Sequence, residues 1–515
     1  MAEYQFGRLK IDPVRNPAVL DTATWDPKAA WELIRSNETL AEISPTWRLA
    51  RLDDGQRVLI ETSASGPVPG KPLGELAQPE GVRLRVFPAD AETVEWVVLN
   101  HAPGKGPRAL GAVPRLGIGD RMSTSIWPGV WPALARANLA ANAIQNSVRE
   151  LNLLEDLRAG RPALGNYMFG FGTLYEGHTG STFEGLWLAG VLSAIESGQE
   201  VRYGADADHI MVKRTPDGLD RARRVIAAAR RYSFFTLDVS DILDYEAMSA
   251  SRSGDIAARC AAKYNRALEA VENLGDYIGS LKGKTPYDLE LSIDETPPGV
   301  RALDYTTTAD ELAFLLAEIR RRRLPVTHIA PNFGVEKGSD YMGADGLPGL
   351  EQRVRSLHRL AVEQGIMLDC HSGDDLRSAT RRAVGRAANG NIHFKISPML
   401  QALFADVLHA LFPERFLYWW EDTMAYARHE AAQNSALAAR CIRQYEESGQ
   451  PPSPSHPLFH YYCFATLGRR GADGRFLHRE KFYDLPESFY AEYARQVTDL
   501  LNEVITDVFG TQEIR

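Results

Sequence analysis

The residues of this chain that could do chemistry fall at the ends of short apolar runs. These endings are Gly204-Ala-Asp-Ala-Asp208-His209, Thr236-Leu-Asp238, Glu290-Leu-Ser-Ile-Asp294-Glu295, Thr327-His328-Ile-Ala-Pro-Asn332, Leu368-Asp369-Cys-His371, His393-Phe-Lys395 and Glu421-Asp422. Imidazoles and carboxylates brought to one rim suit a divalent cation such as Zn²⁺, Mn²⁺, Co²⁺ or Ni²⁺. His209, His328 and His371 come from three separate runs and are the candidate ligands. For each of them a hydrogen-bonded interior histidine is the structural alternative. Asp208 and His209 are sequence neighbours, and neighbours on a regular strand point to opposite faces. They share a site only where the chain is already turning into its loop. Glu290 has apolar neighbours and is a candidate general acid or base with a pKa tuned by its surroundings. A structural ion pair is its alternative. Lys395, between Phe394 and Ile396, reads as inward-facing. It suits a substrate oxygen or carboxylate, or an ion pair with a neighbouring carboxylate.

A second group lies earlier in the chain. Tyr175-Glu-Gly-His178-Thr179-Gly-Ser-Thr182 precedes an apolar helical stretch. Small residues and backbone N–H groups at a helix start suit an anion, so His178 and Thr179 are candidate substrate-binding residues. Arg121, just after Gly-Ile-Gly-Asp, would add a positive charge. Gly117-Ile-Gly119 lacks the third glycine of a dinucleotide fingerprint, and no phosphate-loop sequence occurs. No HxH pair and no GxSxG elbow is present.

Positioning these endings requires strands that alternate with helices. Strand candidates are 115–120, 163–170, 201–210, 234–238, 288–293, 326–330, 366–371, 392–397 and 416–420. Between them lie amphipathic helices at 219–231, 257–281, 310–323, 350–364 and 374–388, the third opened by a capping box, Thr308 with Glu311. Alternating β and α units predict an α/β fold, a (β/α)8 TIM-type barrel with catalytic groups at the carboxyl ends of its strands. Nine candidates exceed eight, so one of the first two or the last lies outside the barrel. Residues 1–110 read as a small α+β region, with strands in 47–62 and 82–100 and a loop at 63–79. Residues 111–424 read as the barrel and 425–515 as a helical extension packed on it.

Composition sets the remaining bounds. The 515 residues carry 58 Lys plus Arg and 67 Asp plus Glu, a net charge of -9. That balance disfavours a nucleic-acid partner, because phosphate backbones reward basic surfaces. Four cysteines with no CxxC pair exclude a zinc ribbon and a disulfide framework. No apolar leader opens the sequence and no run approaches the roughly 20 residues of a membrane helix. The expectation is a cytoplasmic enzyme acting on a small molecule, with no membrane partner, and a homo-oligomer is compatible with it.

Ala205-Asp-Ala-Asp-His209, Leu237-Asp-Val-Ser-Asp241, His328-Ile-Ala-Pro-Asn-Phe-Gly334, Leu368-Asp-Cys-His-Ser-Gly373 and His393-Phe-Lys-Ile-Ser397 together resemble the tagaturonate/fructuronate epimerase family. The resemblance runs from about residue 117 to the C-terminus. It implies a metal-dependent isomerase that interconverts D-fructuronate and D-tagaturonate in hexuronate catabolism, some members taking fructose and tagatose. It further implies His209, His328 and His371 as metal ligands, Asp208 as proton acceptor and Glu290 as proton donor. The two sugars differ at a carbon β to the ketone, whose C–H is not acidic. Inversion there needs transient oxidation or cleavage and re-formation of the adjacent C–C bond. With no nicotinamide fingerprint, retro-aldol chemistry is the expected route. Another metal-dependent keto-sugar isomerase or aldolase, and a sugar-acid sensor without turnover, are the alternatives.

Overall fold

In a computed structural model of the chain, a five-stranded antiparallel sheet precedes a closed parallel barrel of eight strands. The structure describes residues 40–510 apart from 52–56, 64–65, 78–82, 123–124, 148–151, 160, 162–165, 169–171, 175–178, 247–254, 297–299, 336–338, 372, 471–475, 479 and 484. The first sheet is built from β1 (Leu40–Ser44), β2 (Trp47–Arg51), β3 (Arg57–Ser63), β4 (Gly74–Ala77) and β5 (Arg83–Pro88), in the order β1-β2-β3-β5-β4. The expected loop at 63–79 thus contains a short strand. The second expected strand, 82–100, stops at Pro88 and gives way to a helix, Ala91–His101. The reason is local. Asp90 caps the helix by accepting a hydrogen bond from Thr93 N at 2.8 Å, and Val94, Val97 and Val98 are buried at helical spacing.

The barrel contains β6 (Arg115–Gly119) and β7 (Ala140–Ser147). After a separate two-stranded hairpin, β8 (Asn166–Met168) with β9 (Gly172–Leu174), come β10 (Tyr203–Met211), β11 (Phe234–Asp238), β12 (Asp288–Ser292), β13 (His328–Ala330), β14 (Met367–Cys370) and β15 (His393–Ile396). It closes through parallel pairing of β15 with β6. Two strand candidates fall outside it. Of the candidate 163–170, the described residues, Asn166–Met168, belong to the hairpin. Residues 416–420 lie inside a helix, Pro413–Ala432, where Phe416, Trp419, Trp420, Thr423 and Ala427 are buried at helical spacing behind a proline start. The strand missing from the expectation is β7, Ala-Ala-Asn-Ala-Ile-Gln-Asn-Ser, buried throughout. It reads poorly as a strand because this barrel's interior is polar, so the apolar alternation that marks a strand is absent.

Arg115 and Asp288, first residues of β6 and β12, are buried and pair at 3.1 Å, filling the amino-terminal end of the barrel. The capping box at Thr308 and Glu311 is present in both directions. The C-terminal helix, Glu487–Phe509, lies against helix Trp127–Ala137 so closely that a Cβ on Gly129 would sit 2.4 Å from Ala494 O. It also reaches helix Ser378–Ala387, where Asp507 pairs with Arg381 at 2.8 Å. Aromatic residues fill the space behind it: Phe404 lies 4.6 Å from Phe489 and 5.0 Å from Tyr493 between centroids, and Trp419 lies 4.8 Å from Phe482. Among the described residues no helix is long and apolar enough to cross a membrane.

Candidate functional site

The strand endings meet in three tiers. The first begins with β10. Its register against β11 shifts between Ala207 and Ile210, and His209 takes a left-handed backbone with φ 47°. This bulge turns two sequence neighbours toward the same place: His209 Nε2 lies 3.9 Å from Asp208 Oδ2. The departure from strand geometry occurs within the strand, before any loop.

At the centre, Lys395 Nζ from β15 gathers three carboxylates from two other strands. It lies 3.1 Å from Asp206 Oδ2, 2.9 Å from Asp208 Oδ1 and 2.7 Å from Glu290 Oε2, and donates to Thr236 Oγ1 at 3.0 Å. All are buried. Thr236 Oγ1 in turn lies 3.1 Å from Asp206 and 3.2 Å from Glu290. Three negative charges on one ammonium hold Lys395 well above its usual pKa despite its burial. The carboxylates divide the benefit unequally. Burial pushes Asp206 up to about 7, against the pull of Lys395. Burial also acts on Asp208, but His209, Lys395 and His371 outweigh it and hold that carboxyl well below its ordinary range. Glu290 is likewise held low by Lys395 and His371 in spite of burial.

Above this hub, at the carboxyl rim, His371 Nε2 lies 2.6 Å from Glu290 Oε1, and its Nδ1 lies 3.2 Å from Asp294 Oδ1 without a well-directed hydrogen bond. Burial lowers the His371 pKa, but Asp294 and Glu290 outweigh it and push it up to about 10. The His371 ring is 4.9 Å from that of His209. His209 Nδ1 lies 3.2 Å from Asp238 Oδ2 and 3.8 Å from Glu295 Oε1. His209, Asp238 and Glu295 each offer a ligand atom within 4.8 Å of the others. One nitrogen and two oxygens, with an imidazole beside them, fit a borderline divalent ion.

The third tier is fully buried: His328, Asp369 and His393 also offer ligand atoms within 4.8 Å of one another. Burial, with Arg115 and Lys395 nearby, holds both imidazoles well below their usual pKa.

The structure therefore brings Asp208, His209, Glu290, His371 and Lys395 into one network. It places His328 with Asp369 and His393 rather than with His209 and His371, so the three expected histidine ligands divide between two clusters. Arg121 follows β6 and its Nε donates to Ser397 Oγ, just beyond β15, at 3.2 Å. Thr179 is buried ahead of helix Phe183–Ser197, whose cap is Thr182. His178 lies outside the described residues. Asp206, Thr236, Asp238, Asp294, Glu295, Asp369 and His393 stand in the strand-end phrases read from the sequence but were given no role there. Three of them could have been given one: Asp206, Asp369 and His393 each stand two residues before a candidate site residue, Asp208, His371 and Lys395, and a period of two puts both on the same face.

Residues 253–416, which include β12 to β15, match the family model for tagaturonate epimerase, UxaE, a family of isomerases, and bear out the resemblance read in the strand-end phrases. Two crystal structures of fructuronate-tagaturonate epimerase UxaE from Cohnella laeviribosi share the fold. The complex with two glycerols has a TM-score of 0.67 at 19% identity, covering 94% of this chain and 100% of that one. The native form has a TM-score of 0.65 at 19% identity, covering 95% and 100%. Comparison with curated protein sequences gives no match.

Proposed function

With the tagaturonate epimerase signature running over residues 253–416 as the premise, we propose that this chain is a metal-dependent epimerase that interconverts D-fructuronate and D-tagaturonate by retro-aldol chemistry at the barrel rim. The observation that carries the reading is the convergence of Asp208 and Glu290 on Lys395 beneath a rim of imidazoles and carboxylates.

His209, Asp238 and Glu295 would hold the ion, with the His371 ring 4.9 Å from that of His209. A divalent ion there would supply positive charge for the negative charge that C–C cleavage develops. The chain's own residues do the rest. Asp208 is ionised, is turned toward the rim by the bulge, and accepts the proton of the hydroxyl on the carbon to be inverted. The bond between that carbon and the one next to the ketone then breaks, giving an aldehyde and an enediolate. After the aldehyde turns over, the enediolate carbon adds to its other face and the proton returns from Asp208. Lys395 keeps its charge and holds Asp208 in place. Glu290 is completely buried and bonded on both oxygens. Its place in this reading is therefore to orient His371 by accepting from Nε2–H, as carboxylates behind ligating imidazoles do. That replaces the proton-donor role expected from the resemblance. Arg121 at the rim supplies a cation for the substrate carboxylate.

The test is an NMR time course with D-fructuronate and protein loaded in turn with Mn²⁺, Zn²⁺, Co²⁺ or Ni²⁺, beside an EDTA-treated control. Metal-dependent appearance of D-tagaturonate is expected. No turnover with any of the four ions removes the named reaction.

A further inference from the structure

We infer that the barrel interior holds a second, structural divalent transition ion, bound by His328, Asp369 and His393, separate from and independent of the rim site proposed above. The three side chains come from β13, β14 and β15 and are completely buried. Each keeps one buried polar atom with no hydrogen-bond partner: His328 Nε2, Asp369 Oδ1 and His393 Nε2. Their other polar atoms are engaged. His328 Nδ1 is 2.8 Å from Thr327 Oγ1, and His393 Nδ1 is 2.8 Å from Asp369 Oδ2. That is the arrangement of ligating imidazoles, in which one nitrogen is fixed by a neighbour so that the other is aimed at the ion. The rings stand edge-on, 5.7 Å apart, and both lie against Phe234, at 4.7 and 5.4 Å, which fixes their planes. Gln145 Oε1, also buried and without a partner, borders the same space: a Cβ on Gly117 would lie 2.2 Å from it and 3.0 Å from His393 Nε2.

Charge points the same way. Asp206, Asp208 and Glu290 contact Lys395, and Asp288 contacts Arg115. Among the described residues Asp369 has no Lys or Arg within ion-pair distance, and it is as deeply buried as any of them. Its nearest charged neighbour is the Glu290 carboxylate, so Asp369 needs a cation, or else a proton shared with Glu290. Two imidazole nitrogens and one carboxylate oxygen are the donors of a first-row divalent ion. With no solvent-exposed ligand, such an ion would load as the barrel folds and leave only when it unfolds.

Metal counting by mass spectrometry tests this on the full chain expressed with added Zn²⁺, Mn²⁺ or Co²⁺. The expected count is two ions per chain, one stripped by EDTA from the native protein and one released only in guanidinium. His393→Gln and Asp369→Asn should each lose the retained ion and melt at lower temperature. His209→Asn should lose the EDTA-labile ion alone. X-ray absorption of the EDTA-treated wild type should report two imidazoles and an oxygen ligand, which keeps the question open to test if the interior variants fail to fold. Absence of a retained ion, or a retained ion that survives both interior variants, overturns the inference. A retained ion without a labile one leaves it standing and removes the rim ion instead.

Discussion

The inside of the barrel and the aromatic layer behind the C-terminal helix are buried to the same degree and built from opposite materials. One holds Lys395 among three carboxylates, with buried imidazoles on either side of that hub. The other holds Phe404 edge to face with Phe489 and Tyr493, and Trp419 edge to face with Phe482. The difference separates two tasks. Aromatic packing yields stability per area buried and asks little of position. A buried charge network gives weak or no net stability, since desolvation offsets its attractions, but its charge-assisted hydrogen bonds add geometric specificity. The barrel is scaffolded from outside so that its inside can be given over to chemistry.

Asp208→Asn should break the comparison at its functional end. If Asp208 is the proton acceptor proposed above, its loss should lower kcat by about 10²–10⁴-fold. Removing one of three carboxylates crowded on Lys395 should leave the melting temperature unchanged or raise it. Steady-state kinetics and calorimetry on one preparation check both halves, and a clear loss of stability would mean that the hub is structural. Trp419→Ala is the mirror experiment. It should lower unfolding free energy by about 3–5 kcal/mol, with kcat of the remaining folded enzyme unchanged. Chemical denaturation read beside activity measures that.

These two regions also differ in how far they were legible. The amphipathic helices and seven barrel strands follow from hydrophobic period, and the capping box at Thr308 was found as written. The strand misread at 416–420 is part of the aromatic layer, where a five-residue apolar run looks alike in helix and strand. Strand β7 was missed because Asn142, beside Arg115, and Gln145, beside His393, serve the polar interior. The hub escaped for a different reason. Lys395 and Asp208 are 187 positions apart, and only closure of the barrel makes them neighbours. Their residue types were visible, while their pairing belongs to topology.

Between the two materials stands a mixed case on an outer helix. Glu311 receives Lys263 Nζ at 2.7 Å and Tyr264 OH at 3.0 Å, both buried. Burial raises its carboxyl pKa, but Lys263 and Thr308 outweigh this and hold it below the usual value. The folded pKa is the lower one, so the stabilisation is present above the unfolded value of about 4.3 and is lost as pH falls through the folded one. Glu311→Gln leaves Lys263 buried without its counter-ion, which should cost about 3 kcal/mol near neutral pH. The difference from wild type should shrink in acid, and denaturation at pH 7 and pH 3 reads it. A difference independent of pH would assign the loss to packing.

The smallest expected effect sharpens the substrate side. Arg121→Ala should raise KM for a uronate about tenfold, roughly 1.4 kcal/mol, and leave KM for a neutral ketose unchanged. Equal effects on both would take Arg121 away from the carboxylate.

The bulge at His209 bears on which sequences this position can sample. A left-handed residue accepts histidine, asparagine, aspartate or glycine far more readily than a β-branched side chain. Substitution there is screened twice, once by the peptide backbone and once by the chemistry at the rim. Neutral drift through valine, isoleucine or threonine is closed before function is consulted. A position so filtered changes seldom and in few directions, which makes Asn the informative replacement and leaves the backbone turn as the part of the active site least free to evolve.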